Sequence, residues 1–278
     1  MWTTEEATKL SISYETLLKQ INVSSTDDGF RFTDPSRVNQ IKAILEADQK
    51  YKLRHDGYVS LIYQHQNYNP NEDSVLISSH IDSVHPNHFT SDFDAQTWVG
   101  SFDNSSTNAA LLTLMTSAAL SPQVMIAFTG DEEADGHGAD EVVRFFETTP
   151  SAGNLDVVIC LDVTPEGYKD HGFTIENWFA GVEGRFEPLD EKDIKRMLKK
   201  TFPNALMIDE EDGWPDETYT YEEHDVFCFL IGLPVKKHPQ YRGDEEEFME
   251  SELGILLKKT SVIPYMEAIV KATKMLGC

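Results

Sequence analysis

Val124-Met125-Ile126-Ala127-Phe128-Thr129-Gly130-Asp131-Glu132-Glu133 runs from five apolar residues straight into an acidic turn. An unbroken apolar run of this length, with no polar alternation, is what a strand covered on both faces shows. The pattern recurs on either side. Val75-Leu76-Ile77 passes through Ser78-Ser79 to His80-Ile81-Asp82, residues 157–161 are apolar and stop at Asp162, and the run 226–235 ends just before His238. Between the first three runs lie an Ala/Leu-rich segment, 104–120, and a second helix-compatible segment, 138–147. Buried strands separated by helices predict a three-layer α/β/α fold with a mixed, centrally parallel sheet.

Further out, apolar residues at helical spacing (Leu10, Tyr14, Leu17, Leu18, Ile21; then Val38, Ile41, Ile44, Leu45) predict helices over 3–21 and 34–49, the second opened by Asp34-Pro35. A strand is expected over 58–63, next to the one beginning at Val75, with the Asn/Pro/Asp-rich turn 67–73 between them. Residues 83–101 read as irregular. From 163 to 224 only the amphipathic segment 191–200 (Ile194, Met197, Leu198) is distinct, and 209–223 reads as an acidic loop. A long final helix is expected over 251–276. Without an internal repeat, low-complexity tract or linker, residues 1–278 read as one domain with no inserted lid or dimerisation domain.

Composition narrows the function. A formal charge of -25, from 48 acidic against 23 basic residues, repels nucleic acid and anionic membranes, so neither is an expected partner. No apolar stretch is long enough to span a bilayer, and the first residues carry neither the basic start nor the apolar run of a secretory signal; a cytoplasmic location is expected. Cys160, Cys228 and Cys278 are scattered, with two inside apolar runs, which argues against a disulfide framework and a thiolate zinc site. Any metal must then be held by His and carboxylates.

Such groups sit where an α/β sheet would use them. In open α/β sheets ligands collect outside the carboxyl ends of the strands, and His80, Asp82, Asp131, Glu132, Glu133, Asp162 and His238 all fall at or just past apolar runs. Isolated charged residues at strand ends are ordinarily just solvated; four ends bearing only metal-ligand types are a different matter. A pair of zinc ions needs a bridging carboxylate, for which Asp103, at a loop-to-helix junction, is the candidate; alone it would read equally well as a helix cap. In His80-Ile81-Asp82, strand alternation puts both side chains on one side, so Asp82 can accept from the outer imidazole nitrogen of His80 and fix its tautomer. Adjacent Glu132 and Glu133 point in different directions, which lets one bind metal while the other handles the proton of an attacking water.

These residues together resemble the zinc-dependent exopeptidases, closest to the M28-type aminopeptidases and more distantly the M20 and M42 types. The resemblance rests on Ser-His-Ile-Asp-Ser around His80, Phe-Asp-Asn-Ser-Ser-Thr-Asn-Ala-Ala-Leu-Leu around Asp103, Thr-Gly-Asp-Glu-Glu around Glu132, Leu-Asp at Asp162, and Glu-His-Asp-Val-Phe followed by Ile-Gly-Leu-Pro. It implies a phosphorylase/hydrolase-like fold and two Zn2+ (Co2+ or Mn2+ being compatible with the same donors). One ion would lie on His80, Asp103 and Asp162, the other on Asp103, Glu133 and His238, with Glu132 as general base. It also implies a cis peptide at Asp103-Asn104. The interval from Asp162 to His238 is too short for the domain that M20 enzymes insert there, which favours the M28 type.

The implied activity is aminopeptidase action on a peptide N-terminus. The alternatives are M20-like deacylation or hydrolysis of a small N-acyl amide, one-zinc cyclase chemistry, and an inactive binding protein on the same fold. His238 departs from the family setting, since it follows Gly232-Leu233-Pro234 almost at once. His224 matches a family histidine and is read as a pocket or structural residue. His137 and His171 are weaker ligand candidates, and His85 and His88 are read as surface or pocket-lining. Substrate-selecting residues are expected within 86–99 and 163–223. Side-chain specificity and oligomeric state are not legible.

Overall fold

The computed structural model describes residues 1–24, 35–85, 87–134, 136–178, 191–209, 216–244 and 247–278. Four parallel strands form its centre: β3 (Val75–His80), β6 (Val124–Thr129), β7 (Val157–Thr164) and β10 (Phe227–Lys237). Antiparallel strands extend both sides, β1 (Tyr51–Asp56) and β2 (Ser60–His65) beyond β6, and β11 (Ile255–Lys258), β5 (Thr97–Gly100) and β4 (Thr90–Asp92) beyond β10. The order is β1-β2-β6-β3-β7-β10-β11-β5-β4, with short β8 (Thr174–Glu176) pairing β10 and β9 (Leu206–Ile208) pairing β8. The sheet is therefore mixed and centrally parallel, as expected.

Alternation along the central strands builds two cores. Ile77, Ile126, Phe128, Ile159, Leu161, Phe229 and Ile231 face one side, while Leu76, Met125, Ala127, Val158, Cys160 and Leu230 face the other. The first face is covered by α1 (Thr4–Ile21), α2 (Pro35–Asp48), α3 (Ser105–Thr116), α5 (Glu191–Thr201) and α7 (Val262–Met275). The second is covered by α4 (His137–Thr148) and α6 (Glu217–Glu223). The cover on both faces is why these strands are apolar throughout. Helix α1 begins at a reciprocal cap: Thr3 Oγ1 accepts from Glu6 N at 3.3 Å and Thr3 N donates to Glu6 Oε2 at 2.8 Å.

Four sequence expectations change. β2 and β3 are not neighbours, because β6 lies between them. The final helix begins at Val262 and not at 251, since Ile255–Lys258 is a strand paired with both β10 and β5. The stretch 83–101 contains β4 and β5, and the described part of 209–223 contains α6, capped by Asp216, whose Oδ1 accepts from Thr218 N at 2.6 Å. The expected Asp34-Pro35 cap, like residues 210–215 of the acidic loop, lies outside the described residues. Cys160, Cys228 and Cys278 are free thiols, the first two buried. No helix among the described residues is long and apolar enough to cross a membrane.

Candidate metal centre

Parallel register brings the strand ends together. His80 pairs with Thr129 at the end of β6, and Ser78 pairs with Cys160, so His80 and Asp162 come level two residues further along. The segment after β6 turns at once: Asp131 has φ +61°, and its carbonyl accepts from Gly136 N at 2.7 Å and from Ala134 N at 3.3 Å. Gly138 lets the start of α4 lie against this turn, because a Cβ there would sit 2.4 Å from the carbonyl oxygen of Gly130. Glu132 and Glu133 are thereby folded back over the sheet rim. Asp82 ties the two loops together by accepting from Glu133 N through Oδ2 at 3.1 Å, while its Oδ1 stands 3.4 Å from His80 Nδ1.

The polar run ahead of α3 is a scaffold for the rim. Asn104, Ser105, Ser106, Thr107 and Asn108 have no solvent exposure. Asn108 donates to the His80 carbonyl at 2.7 Å, Asn104 donates to the Leu161 carbonyl at 2.8 Å, and Thr107 and Ser79 hydroxyls meet at 3.0 Å. The Asp103–Asn104 peptide is cis. On the other flank, fully buried Arg37 donates to the Ile81 carbonyl at 2.6 Å. Backbone on both sides of His80 is thus pinned by side chains, which fixes where its imidazole points.

The His80 side chain is 2 % exposed, and its Nε2 faces three carboxylates: Asp103 Oδ1 at 3.2 Å, Asp162 Oδ1 at 3.5 Å and Glu132 Oε2 at 3.9 Å. Two overlapping groups have ligand atoms all within 4.8 Å of one another, His80-Asp103-Asp162 and His80-Glu132-Glu133. His80 Nε2, Asp103 Oδ1 and Glu133 Oε1 are buried without an aligned hydrogen-bond partner. Burial raises Glu132 and Glu133 well above the ordinary carboxylate range; neighbouring carboxylates add to this and His80 opposes it. Asp162 is raised by burial to about 6, again against His80. Burial works to lower His80, but Glu132, Asp162 and Asp103 outweigh it and leave the ring raised. Each direction reports lone pairs crowded in a poorly solvated space with too little positive charge.

The structure thus brings together His80, Asp82, Asp103, Glu132, Glu133 and Asp162, but not His238. On β10 the residue level with Asp162 is Gly232, and His238 lies six residues further on. Extended strand covers about 3.3 Å per residue, which puts His238 roughly 20 Å past that level. Its ring stands edge-on to Phe93, with centroids 5.7 Å apart, and its Nδ1 accepts from Gln240 N at 3.2 Å. The expectation of His238 as a ligand came from its place just after an apolar run, but β10 overruns the rim to pair with β11. Other histidines are engaged elsewhere: His224 with Asp140 at 2.8 Å, His137 with Asp131 at 3.4 Å, His171 with the Asn204 carbonyl at 3.1 Å, and buried His88 with Arg37 at 2.9 Å. His85 alone of these borders the cluster, in a small cleft with Asp103, Glu133 and Glu250.

Sequence reasoning also missed a buried polar layer beneath the cluster. Glu217, read as part of an acidic loop, is 5 % exposed and accepts from Ser78 Oγ at 2.7 Å, and the Tyr221 hydroxyl lies 3.0 Å from the same oxygen. Burial raises Glu217 to about 7. Asp216 accepts from Asn177 Nδ2 at 2.6 Å, and fully buried Glu176 accepts from the Thr174 hydroxyl. The one available signal was Ser78-Ser79, two hydroxyls ending an apolar strand.

Fold and cluster together define an α/β protein with a carboxylate-rich, cation-ready site at the carboxyl rim of its parallel strands. Residues 60–217, more than half of the chain, match the model of Peptidase family M28, and the chain belongs to that family. Solved structures of similar fold include LapA of Legionella pneumophila (TM-score 0.62, 14% identity, 99% of this chain and 77% of LapA). A tripeptidase of Staphylococcus aureus (0.64, 10%, 96% and 98%) and the TET1 peptidase of Pyrococcus horikoshii (0.60, 12%, 95% and 99%) are others. Identities this low speak for the fold alone. No curated protein matches the sequence.

Proposed function

We propose that the protein is a zinc-dependent aminopeptidase of a single catalytic domain, acting on the N-termini of peptides. The observation that carries this is that His80 is shared by two groups of ligand atoms, one with Asp103 and Asp162 and one with Glu132 and Glu133, in which three buried ligand atoms lack an aligned hydrogen-bond partner. Such a set fits a divalent cation of the N/O type, since lone pairs that no proton satisfies are what a metal takes. His80 and Asp162 would hold one ion and Glu133 a second, with Asp103 shared. Co2+ or Mn2+ would suit the same donors. When bound, zinc supplies Lewis acidity for the substrate carbonyl and makes a water acidic near neutral pH.

The remaining chemistry belongs to side chains. Glu132, largely buried and raised by its surroundings, is suited to take a proton from the attacking water and pass it to the departing amine nitrogen. Asp82 orients His80 through Nδ1 and anchors the Glu133 backbone, which keeps the two halves of the cluster in register. The acidic surface would favour substrates with a free α-ammonium group.

Hydrolysis of aminoacyl-anilides by the zinc-loaded protein, with N-acetylated amino acids left untouched, is the expected result. The reverse preference would replace the aminopeptidase reading with a deacylase one. Glu132→Gln should retain its metal and lose kcat by about 10²- to 10⁴-fold; unchanged turnover would remove Glu132 from the mechanism.

A further inference from the structure

β10 continues past the carboxylate cluster, and its far end is basic. Leu233 and Val235 belong to the core on the α1, α3 and α7 side of the sheet, whereas Leu230 belongs to the core under α4 and α6. Alternation therefore puts Gly232, Pro234 and Lys236 on the face of Leu230. Leu76 and Cys160 share that face, and the same period of two carries His80 and Asp162 onto it. Gly232 is level with Asp162, so four further residues of extended strand place Lys236 roughly 13 Å beyond the cluster, on its own side of the sheet.

There Lys236 lines a groove of about 710 Å³ with Lys169, Asp170 and His171, from the segment after β7, and with Lys258, at the end of β11. Three lysines and a histidine against one aspartate reverse the balance of a chain that carries 48 acidic and 23 basic residues. The frame of the groove is held in place: Lys258 Nζ donates to the carbonyls of Tyr168 and Lys169 and lies 4.7 Å from the centroid of the Tyr168 ring. His171 Nδ1 donates to the Asn204 carbonyl at 3.1 Å. Lys169 and Lys236 have no ion-pair partner among the described residues. Beyond Lys236 the basic lining continues in a second cleft, of about 370 Å³, with Lys237, His238 and Arg242.

We propose that this groove binds a carboxylate of the peptide substrate about four residues downstream of the scissile bond, with Lys236 and Lys169 recognising it. This rests on the peptidase reading and adds a substrate class to it, peptides with negative charge at that distance. An extended chain advances about 3.3–3.6 Å per residue, so a peptide whose first carbonyl lies at His80 and Asp162 reaches Lys236 near its fifth residue. The carboxylate is either the end of a pentapeptide or an acidic side chain within a longer one, and its chemistry at the lysines is the same. Such a substrate meets complementary fields at both ends, its ammonium at the carboxylate cluster and its carboxylate at the groove. The volume falls within the roughly 300–1,000 Å³ of pockets that hold small ligands.

The test compares pentaalanine with its C-terminal amide, and an amidated Ala/Ser octapeptide carrying Glu at its fifth position with the same peptide carrying Gln. Each pair is measured for kcat/KM with the zinc-loaded protein and, by calorimetry, for affinity with zinc-loaded Glu132→Gln. The expected result is a preference of about 10-fold, expressed in KM, for the charged member of at least one pair. The pair that shows it identifies a chain end or a side chain as the source of the carboxylate. Lys236→Gln and Lys169→Gln should each remove most of that preference, and Lys236→Glu should reverse it; both lysines are exposed, so these variants report on binding and not on folding. The proposal is overturned if neither pair is discriminated in turnover or affinity, or if the preference survives undiminished in both Gln variants. Peptides bound with the preference but never hydrolysed would leave the groove standing and remove the peptidase reading. Hydrolysis without any preference would do the opposite.

Discussion

Replacing Glu176 by Gln tests whether burial governs the acidic interior. Glu176 has no solvent exposure; one oxygen accepts from the Thr174 hydroxyl, and the other, Oε2, is buried with no partner. Burial raises its pKa from 4.5 to about 7 against the opposing effect of the nearby Thr174 and Thr164 hydroxyls. Between these values the folded protein holds a proton that the unfolded chain has released, so the group's contribution to stability falls as pH rises through the window. Below 4.5 both states are protonated and above 7 neither is, and the contribution is flat. The difference between these two values, at about 1.36 kcal/mol per pH unit, amounts to about 3 kcal/mol. Gln is neutral and nearly isosteric, so Glu176→Gln should match the wild type near pH 4.5 and exceed it by about 3 kcal/mol near pH 8. The assay is urea unfolding at a series of pH values, with equal metal content in both proteins, so that Glu132, Glu133, Asp162 and Glu217 cancel in the difference. A wild type that gains on the variant as pH rises, or a difference that does not change with pH, would refute the reasoning.

Asp103→Ala should abolish tight metal binding, because on the proposed reading Asp103 is the carboxylate that both ions would share; metal analysis after gel filtration checks this, and full occupancy would break that reading. Tyr14→Phe should leave stability unchanged or raise it by about 1 kcal/mol, since the Tyr14 hydroxyl is buried without a partner. A loss of stability in urea unfolding would mean that the hydroxyl is satisfied after all.

The parallel centre of the sheet was legible because burial on both faces writes itself into each strand: 75–80, 124–129, 157–164 and 227–235 need no partner to be recognised. The antiparallel wing was not. Ile255-Leu256-Leu257 has the composition of either a helix or a strand, and pairing with β10 and β5, whose starts at residues 227 and 97 are 130 residues apart, decides between them. Gly254, just before the strand, sits at φ +70°, where a Cβ would come 2.7 Å from the carbonyl oxygen of Gly100, so glycine is what lets the chain enter this pairing. Glu217 was hidden for a related reason, since the hydroxyl that holds it is supplied by Ser78, 139 residues away.

The site divides along the same line. His80, Asp162, Glu132 and Glu133 lie at the ends of strands or in the turn directly after one, so strand recognition locates them. Asp82 follows from alternation two residues past His80, whereas Asp103 needed the motif as well. His238 fails because the rule that a residue after an apolar run lies at the rim assumes that strands end at the rim. β10 is 11 residues long while β3 and β6 have 6 each, and its last residues pair with β11 instead of stopping beside Asp162. The overrun also gives β11 an edge to pair with, and the segment leading into that strand carries Met249 and Glu250 past Asp103. The length of one strand and its pairing with β11 therefore carry one histidine away from the centre, a consequence that no local motif records.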